Sequence, residues 1–301
     1  MTAMQRRHVL HAVAFASVAL SRVAAAGNVS PAPLSIGQYT SGERAYSTQS
    51  YWLEGRDGVV LVDTQFLPSD ALAFADRASA ATGKPAKLAV VLHPNPDKFN
   101  GCAALQARGI QVVTSRQVAA LIPDVHAIRR GWFYDKYKPD YPSEAPAPSV
   151  YGDRTTSINA AGLELTLHVL GGPGCSGAHV VLQAGDALFV GDLLASKGHA
   201  WLELALFDDW LARLDELDAL RARRIYVGRG PAGGPELIDA MRRYLRTVRD
   251  IVRAEHPAGE LGMLKRWLLK RRITDAFAGY AWEEFVWEAL PEVWNKLAAK
   301  A

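Results

Sequence analysis

Between Val90 and Gly101 the chain reads Val90-Val91-Leu92-His93-Pro94-Asn95-Pro96-Asp97-Lys98-Phe99-Asn100-Gly101. An imidazole, an amide, a carboxylate and an ammonium (His93, Asn95, Asp97 and Lys98) fall at i, i+2, i+4 and i+5, directly after an apolar run over 88–92 that predicts a buried strand. Imidazole nitrogen and carboxylate oxygen are donors that a divalent metal accepts, whereas a charged ammonium has no lone pair to give. The loop marks a candidate site and leaves its chemistry open.

Other segments in the same chain bear on it. Val59-Val60-Leu61-Val62-Asp63-Thr64 precedes the loop; Gly171-Gly172-Pro173-Gly174-Cys175-Ser176, Phe189-Val190-Gly191-Asp192 and Tyr226-Val227-Gly228-Arg229-Gly230-Pro231 follow it. In this order they resemble the metallo-β-lactamase superfamily. The His93 loop is similar to its HxHxDH loop, with Asn95 and Lys98 where histidines belong. Cys175 stands in the third-histidine turn, Asp192 ends the Gly-Asp strand, and Arg229 replaces the histidine of the closing Gly-His-Gly. The resemblance implies an α/β fold, an αββα sandwich of metallo-β-lactamase type, with its site on loops at one sheet edge.

It also implies roles. In the family one metal takes the groups aligned with His93, Asn95 and Cys175, the other those aligned with Asp97, Lys98 and Arg229, and the Asp192 carboxylate bridges them. Lysine and arginine are charged and offer no lone pair, so the second metal is not expected. The first site is expected to hold at most one zinc ion through His93, Cys175 and Asp192, with the Asn95 amide adding little. Such a centre would activate water to hydrolyse a small ester, lactone, amide or phosphoester. Asp97 would then act as base or orient the water, and Lys98 and Arg229 would bind an anionic substrate group or the developing oxyanion. His199, in Gly198-His199-Ala200-Trp201, resembles a position near the site mouth and is a candidate proton shuttle.

Two alternatives stand beside this. Lys98 and Arg229 supply positive charge where a dication would sit, so Asp97 and Asp192 need no metal to be neutralised. That predicts a metal-free pseudohydrolase binding a small anionic ligand or a protein partner. A Cys175–His93 nucleophilic pair is the third reading, with the nearby cations favouring thiolate. Cys102 and Cys175, the only cysteines, are expected as free thiols, although the family's packing puts the Cys102 helix just behind the His93 loop. No Gly-x-Ser-x-Gly elbow or phosphate-binding Gly-x-x-x-x-Gly-Lys-[Ser/Thr] loop occurs, and 171–177 lacks Rossmann spacing.

The elements that must position these groups follow from periodicity. Runs at 51–53 and 59–62 around Gly55 and Gly58 predict a hairpin. A helix is expected over 69–82, capped by Ser69, then strand 88–92, helix 102–107, strand 110–114 and a helix near 117–122. The segment 131–150 mixes Trp132, Phe133, Tyr134, Tyr137 and Tyr141 with Pro139, Pro142, Pro146 and Pro148, and predicts a long ordered loop and a candidate pocket wall. Strands are expected at 157–159, 163–170, 180–183 and 187–190, and helices at 210–220 and 236–255 before a tryptophan-bearing helical tail. Alternating strands and helices in two sets predict a layered α/β domain.

The first 26 residues carry Arg6, Arg7 and Arg22, no acidic residue and an apolar stretch over 9–20, which accounts for the whole formal net charge of +3. Residues 1–26 predict a cleaved, twin-arginine-like signal and an exported domain over 27–301, periplasmic or secreted, with no permanent membrane span. Lys265, Arg266, Lys270, Arg271 and Arg272 cluster around Trp267, but no nucleic-acid-binding motif accompanies them. A small-molecule partner is expected, and no nucleic acid.

Overall fold

The computed structural model describes residues 34–299, and the expected export signal lies outside them. Two sheets form the centre. The first runs β1 (Ser35–Thr40), β2 (Gln49–Glu54), β3 (Val59–Val62), β4 (Ala86–Val90), β5 (Gln111–Ser115), β6 (Ser149–Gly152), antiparallel up to β3 and parallel beyond it. The second runs β11 (Arg224–Arg229), β10 (Ala187–Ala195), β9 (Val180–Ala184), β8 (Leu163–Val169), β7 (Thr156–Ala160), antiparallel except for the β10–β11 pair.

Side-chain alternation along the strands explains the layers. Val180, Leu182 and Phe189 join the core shared with the first sheet, while their neighbours Val181, Leu188 and Val190 join a second core. That second core lies under helices α5 (Phe207–Ala219), α6 (Glu236–Arg253), α7 (Met263–Ala276) and α8 (Glu283–Ala298). Strand β3, antiparallel to β2 and parallel to β4, is buried at every residue, as a central strand covered on both faces must be. Helices α1 (Pro68–Thr82), α3 (Cys102–Ala107) and α4 (Arg116–Tyr137) pack on the first sheet. The result is the expected αββα sandwich. Two hydrogen bonds tie its halves together near the loops: Tyr51 Oη donates to the Val227 carbonyl at 2.8 Å, and the Val180 N–H to the Leu92 carbonyl at 2.6 Å.

Three local expectations need correction. Helix α1 starts one residue early with Pro68 at its first turn, and Leu67, not Ser69, is its N-cap; Ser69 turns its hydroxyl to Asp140 instead. Helix α4 does not stop near 122 but runs through Pro123 and Gly131 to Tyr137. Proline removes one backbone donor, yet Val118, Ile122, His126, Arg129 and Tyr137 form a buried stripe at helical spacing that keeps the helix on the core. The expected loop thus begins as helix to Tyr137, runs irregular over 138–148 and ends in the short β6. Strand β10 continues past Val190 to Ala195 and carries Asp192 inside it.

Candidate functional site

Four chain segments bring charge to one point. Asp63 follows β3 in the left-handed region (φ 64°) and its Oδ1 accepts from the Leu92 N–H at 2.9 Å. The short helix α2 (Pro96–Phe99) begins on Pro96 and carries Asp97 and Lys98. The Lys98 carbonyl accepts from both the N–H (2.9 Å) and the hydroxyl (2.8 Å) of Thr64, which fixes the lysine's backbone. Strand β10 shifts register at Gly191 (φ 55°), where a Cβ would stand 2.9 Å from the His93 ring, and this irregularity precedes Asp192. Strand β11 ends in Arg229.

The side chains meet as a closed ion-pair cluster. Lys98 Nζ lies 3.0 Å from Asp97 Oδ2 and 3.0 Å from Asp192 Oδ1, with Asp63 Oδ2 at 4.0 Å. These are point-charge contacts, not aligned hydrogen bonds, since Nζ and Asp192 Oδ1 each lack a hydrogen-bond partner among the described residues. Arg229 spans the same carboxylates from the other side, donating from Nη1 to Asp192 Oδ2 at 2.7 Å and from Nη2 to Asp97 Oδ2 at 3.0 Å. Lys98 has no solvent exposure, and Asp97, Asp192 and Arg229 are 6%, 8% and 8% exposed.

Charge states follow from this packing. Burial works against ionising Asp192 and Asp97, but the neighbouring cations outweigh it and hold both below the usual carboxylate range. Burial likewise opposes the charges on Lys98 and Arg229, and the Asp192 and Asp97 carboxylates outweigh it, keeping both protonated. Asp63 is pushed up to about 8 by burial, which Lys98 only partly offsets, so it is neutral at pH 7. Two ionised carboxylates therefore face two cations.

A metal does not fit this donor set. Among the described residues no three His, Cys, Asp or Glu side chains converge to hold an ion. Both Asp192 oxygens are taken by cations. His93 Nε2 accepts from the Asp192 N–H at 3.3 Å, so the lone pair a metal would use is engaged, and burial lowers the ring's pKa to about 4. Cys175 is buried and free, as is Cys102. Burial, reinforced by Asp192, raises the Cys175 thiol well above its ordinary value, against the thiolate that a metal-free nucleophile needs. Asn95 is the N-cap of α2 and its Oδ1 lies 3.5 Å from Ser176 Oγ.

The other expected roles change accordingly. Asp97, bound to two cations, is a weak base. Lys98 is sealed from solvent and cannot meet an anionic ligand where it stands. His199 is buried with Nδ1 3.2 Å from Tyr244 Oη, among the rings of Tyr244, Phe277 and Tyr280, and burial lowers its pKa to about 4. It shares only a narrow crevice with Asp192 and Arg229, so it reads as a packing group, not a shuttle.

Beside the cluster opens a cavity of about 360 Å³, with Asn95, Asp97 and Asp192 in its wall. Its remaining lining is largely aromatic: Tyr46, Phe66, Trp132, Phe133, Trp201 and Phe285. Trp132 and Phe133 thus form a pocket wall, from α4 rather than from a loop. Arg129 stacks over Trp132 at 4.1 Å and pairs with Glu203, which also accepts from Trp201 Nε1 at 3.0 Å. Phe285 of α8 meets the Trp201 ring edge at 5.3 Å and the Arg229 guanidinium at 5.3 Å, joining cavity to cluster. Asp63, Arg129, Glu203 and Phe285 were not foreseen as site residues. Only Asp63 had a signal, at the end of the apolar run 59–62; the others come from surfaces that tertiary packing alone assembles.

Comparison with known proteins accords with this architecture. The family model described as metallo-beta-lactamase superfamily matches residues 44–229. A metallo-beta-lactamase family protein from Thermus thermophilus is 18% identical, with a TM-score of 0.64, over 89% of this chain and 94% of that one. A metallo-beta-lactamase from Pontibacter korlensis is 19% identical, with a TM-score of 0.56, over 71% of this chain and 99% of that one. The Pseudomonas aeruginosa metallo-beta-lactamase FIM-1, in a mono-zinc form, is 19% identical, with a TM-score of 0.53, over 70% and 89%. At these identities the structural matches establish the fold alone. No curated protein matches the sequence. With the family model spanning more than half of the chain and the two sheets arranged as described, the chain belongs to the metallo-beta-lactamase superfamily, whose fold is that of hydrolase-type proteins generally binding zinc.

Proposed function

We propose that this chain is a metal-independent member of its superfamily that binds a small molecule in the aromatic cavity, and that the ion-pair cluster replaces the metal centre as the floor of that site. One observation carries the reading: Lys98 Nζ sits unexposed between Asp97 and Asp192, 3.0 Å from each, while Arg229 spans the same pair. Removing either cation with nothing in its place would strand buried carboxylates, at a cost of roughly 3 to 5 kcal/mol.

The lining favours an aromatic or apolar body over a strongly anionic one. Arg129 is the cation in the cavity wall, Glu203 already pairs with it, and Glu284 and Glu288 add negative charge at the α8 side. A cavity of this size with aromatic walls and a few polar groups suits a small organic ligand. Ligand-observed NMR with a panel of uncharged, cationic and anionic aromatic fragments tests this on the wild type and a Trp132→Ala/Phe285→Ala variant. Fragments bound by the wild type and released by the variant are expected, with uncharged ones ahead of anionic ones. A panel without binders, or binding indifferent to the variant, refutes the pocket. Export through the Arg6-Arg7 signal belongs to the same proposal, and N-terminal sequencing of the protein from the exported fraction checks it; an intact Met1 there counts against cleavage.

A further inference from the structure

The wall of the cavity beside the ion-pair cluster carries more negative than positive charge. Asp97, Asp192, Glu284 and Glu288 line it, and Arg129 is its one cation among the described residues. Lys98 and Arg229 stand behind Asp97 and Asp192, and neither belongs to the wall. Glu284 and Glu288 sit one turn apart on α8, and both are exposed.

A wider count leaves the same sign. Lys98 and Arg229 answer Asp97 and Asp192, Asp63 is neutral, and Glu203 answers Arg129. Only the pair on α8 is left over. Glu288 lies 3.8 Å from Arg266, but that guanidinium stacks on Trp287 at 4.0 Å and donates from Nε to the Trp287 carbonyl at 3.0 Å. Glu284 has no ion-pair partner among the described residues. Of the cations on neighbouring segments, Arg130 lies over Tyr134, and Arg44 and Lys136 over Tyr137; none of them lines the cavity.

The aromatic part of the wall also suits positive charge, because a ring face carries negative potential. Two of its rings already hold a guanidinium, Arg129 over Trp132 at 4.1 Å and Arg229 over Phe285 at 5.3 Å, each on one face. Tyr46, Phe66 and Phe133 pack edge to face on one another with centroids 5.3, 5.3 and 6.0 Å apart, which fixes their orientation.

We infer that the cavity selects an organic cation, an ammonium group on an aromatic or apolar body; this rests on the reading of the cavity as a small-molecule site. A quaternary ammonium donates no hydrogen bond, so it needs none of the Asp97 and Asp192 oxygens that Lys98 and Arg229 hold. It gains from the field of Glu284 and Glu288 and from the ring faces. An uncharged ligand gains from the apolar surface alone. An anion meets the two glutamates with Arg129 already paired.

Three probes of one shape and different charge test this by titration followed by NMR: para-hydroxyphenyltrimethylammonium, its uncharged isostere para-tert-butylphenol, and para-hydroxybenzenesulfonate. The full chain is expected to bind the ammonium probe about fivefold or more tighter than the isostere, and the sulfonate weakest. In Glu284→Gln/Glu288→Gln the preference should fall toward one with the isostere's affinity unchanged, and in wild type it should shrink as salt rises. Both substitutions are at exposed side chains outside the ion-pair cluster, and thermal melting checks that the fold survives them. Equal affinity for the ammonium probe and its isostere overturns the inference and leaves the cavity reading standing. So does a tighter sulfonate, or a preference unchanged in the double variant. Failure of all three probes to bind overturns the cavity reading and the inference with it.

Discussion

Arg229 decides how the buried charges are held. It donates to both Asp97 and Asp192 from a site 8% exposed, so Arg229→Met leaves two carboxylates to Lys98 alone and should destabilise the fold by roughly 3 to 5 kcal/mol. Equilibrium denaturation measures this; a variant as stable as wild type contradicts the ion-pair account. Asp63 gives a prediction in pH. Its folded pKa, raised to about 8 by burial, exceeds the unfolded value of about 3.9. The folded chain therefore keeps a proton that the unfolded chain releases, and Asp63's contribution to stability is full below about pH 4 and lost as pH rises toward 8. Asp63→Asn lacks that proton, so wild type should lose ground against it by roughly 1.4 kcal/mol per pH unit across the window. Denaturation at about pH 5 and about pH 7 reads the gap; a constant gap means that Asp63 is ionised. The pairing of Lys98 and Arg229 with Asp97 and Asp192 was legible in the sequence, because neither cation can ligate a metal and both fall where the family's ligands stand. The neutrality of Asp63 was not, since it depends on how deeply the left-handed turn after β3 buries its carboxyl.

At the level of elements, the close approach of β10 and β11 builds the cluster. A Cβ at Gly228 would fall 2.0 Å from Asp192 Oδ1 and 3.0 Å from both Lys98 Nζ and the Gly191 carbonyl carbon. Gly228→Ala should therefore push Asp192 off its partners and cost about 1 to 3 kcal/mol, visible as a lowered melting temperature. A crystal structure of the variant with Asp192 still paired to both cations would refute this. The strands were largely legible because β-branched and aromatic runs with turn residues between them specify their own pairing. Helix α4 was not: Pro123 and Gly131 are local stop signals, and only the buried stripe from Val118 to Tyr137 overrides them. That override moves Trp132 and Phe133 onto a rigid helix at the cavity wall.

Across the whole molecule, the sandwich brings distant segments to one site. Phe66 follows the first sheet's hairpin, Trp132 belongs to α4, Trp201 lies between β10 and α5, and Phe285 opens α8; together they line the cavity above Asp97 and Asp192. The order of glycine-bearing motifs made the fold legible, but no spacing in the sequence brings α8 to the cavity, so its aromatic lining emerges only in three dimensions. The central claim is that side-chain cations stand where the superfamily holds metal. Zinc titration of metal-stripped full-length protein, followed by isothermal calorimetry and elemental analysis after gel filtration, tests it most directly. The account predicts no stoichiometric zinc in the wild type, and zinc uptake in a Lys98→His/Arg229→His variant that keeps its fold. One or more zinc ions per wild-type chain, lost on His93→Ala, would contradict it.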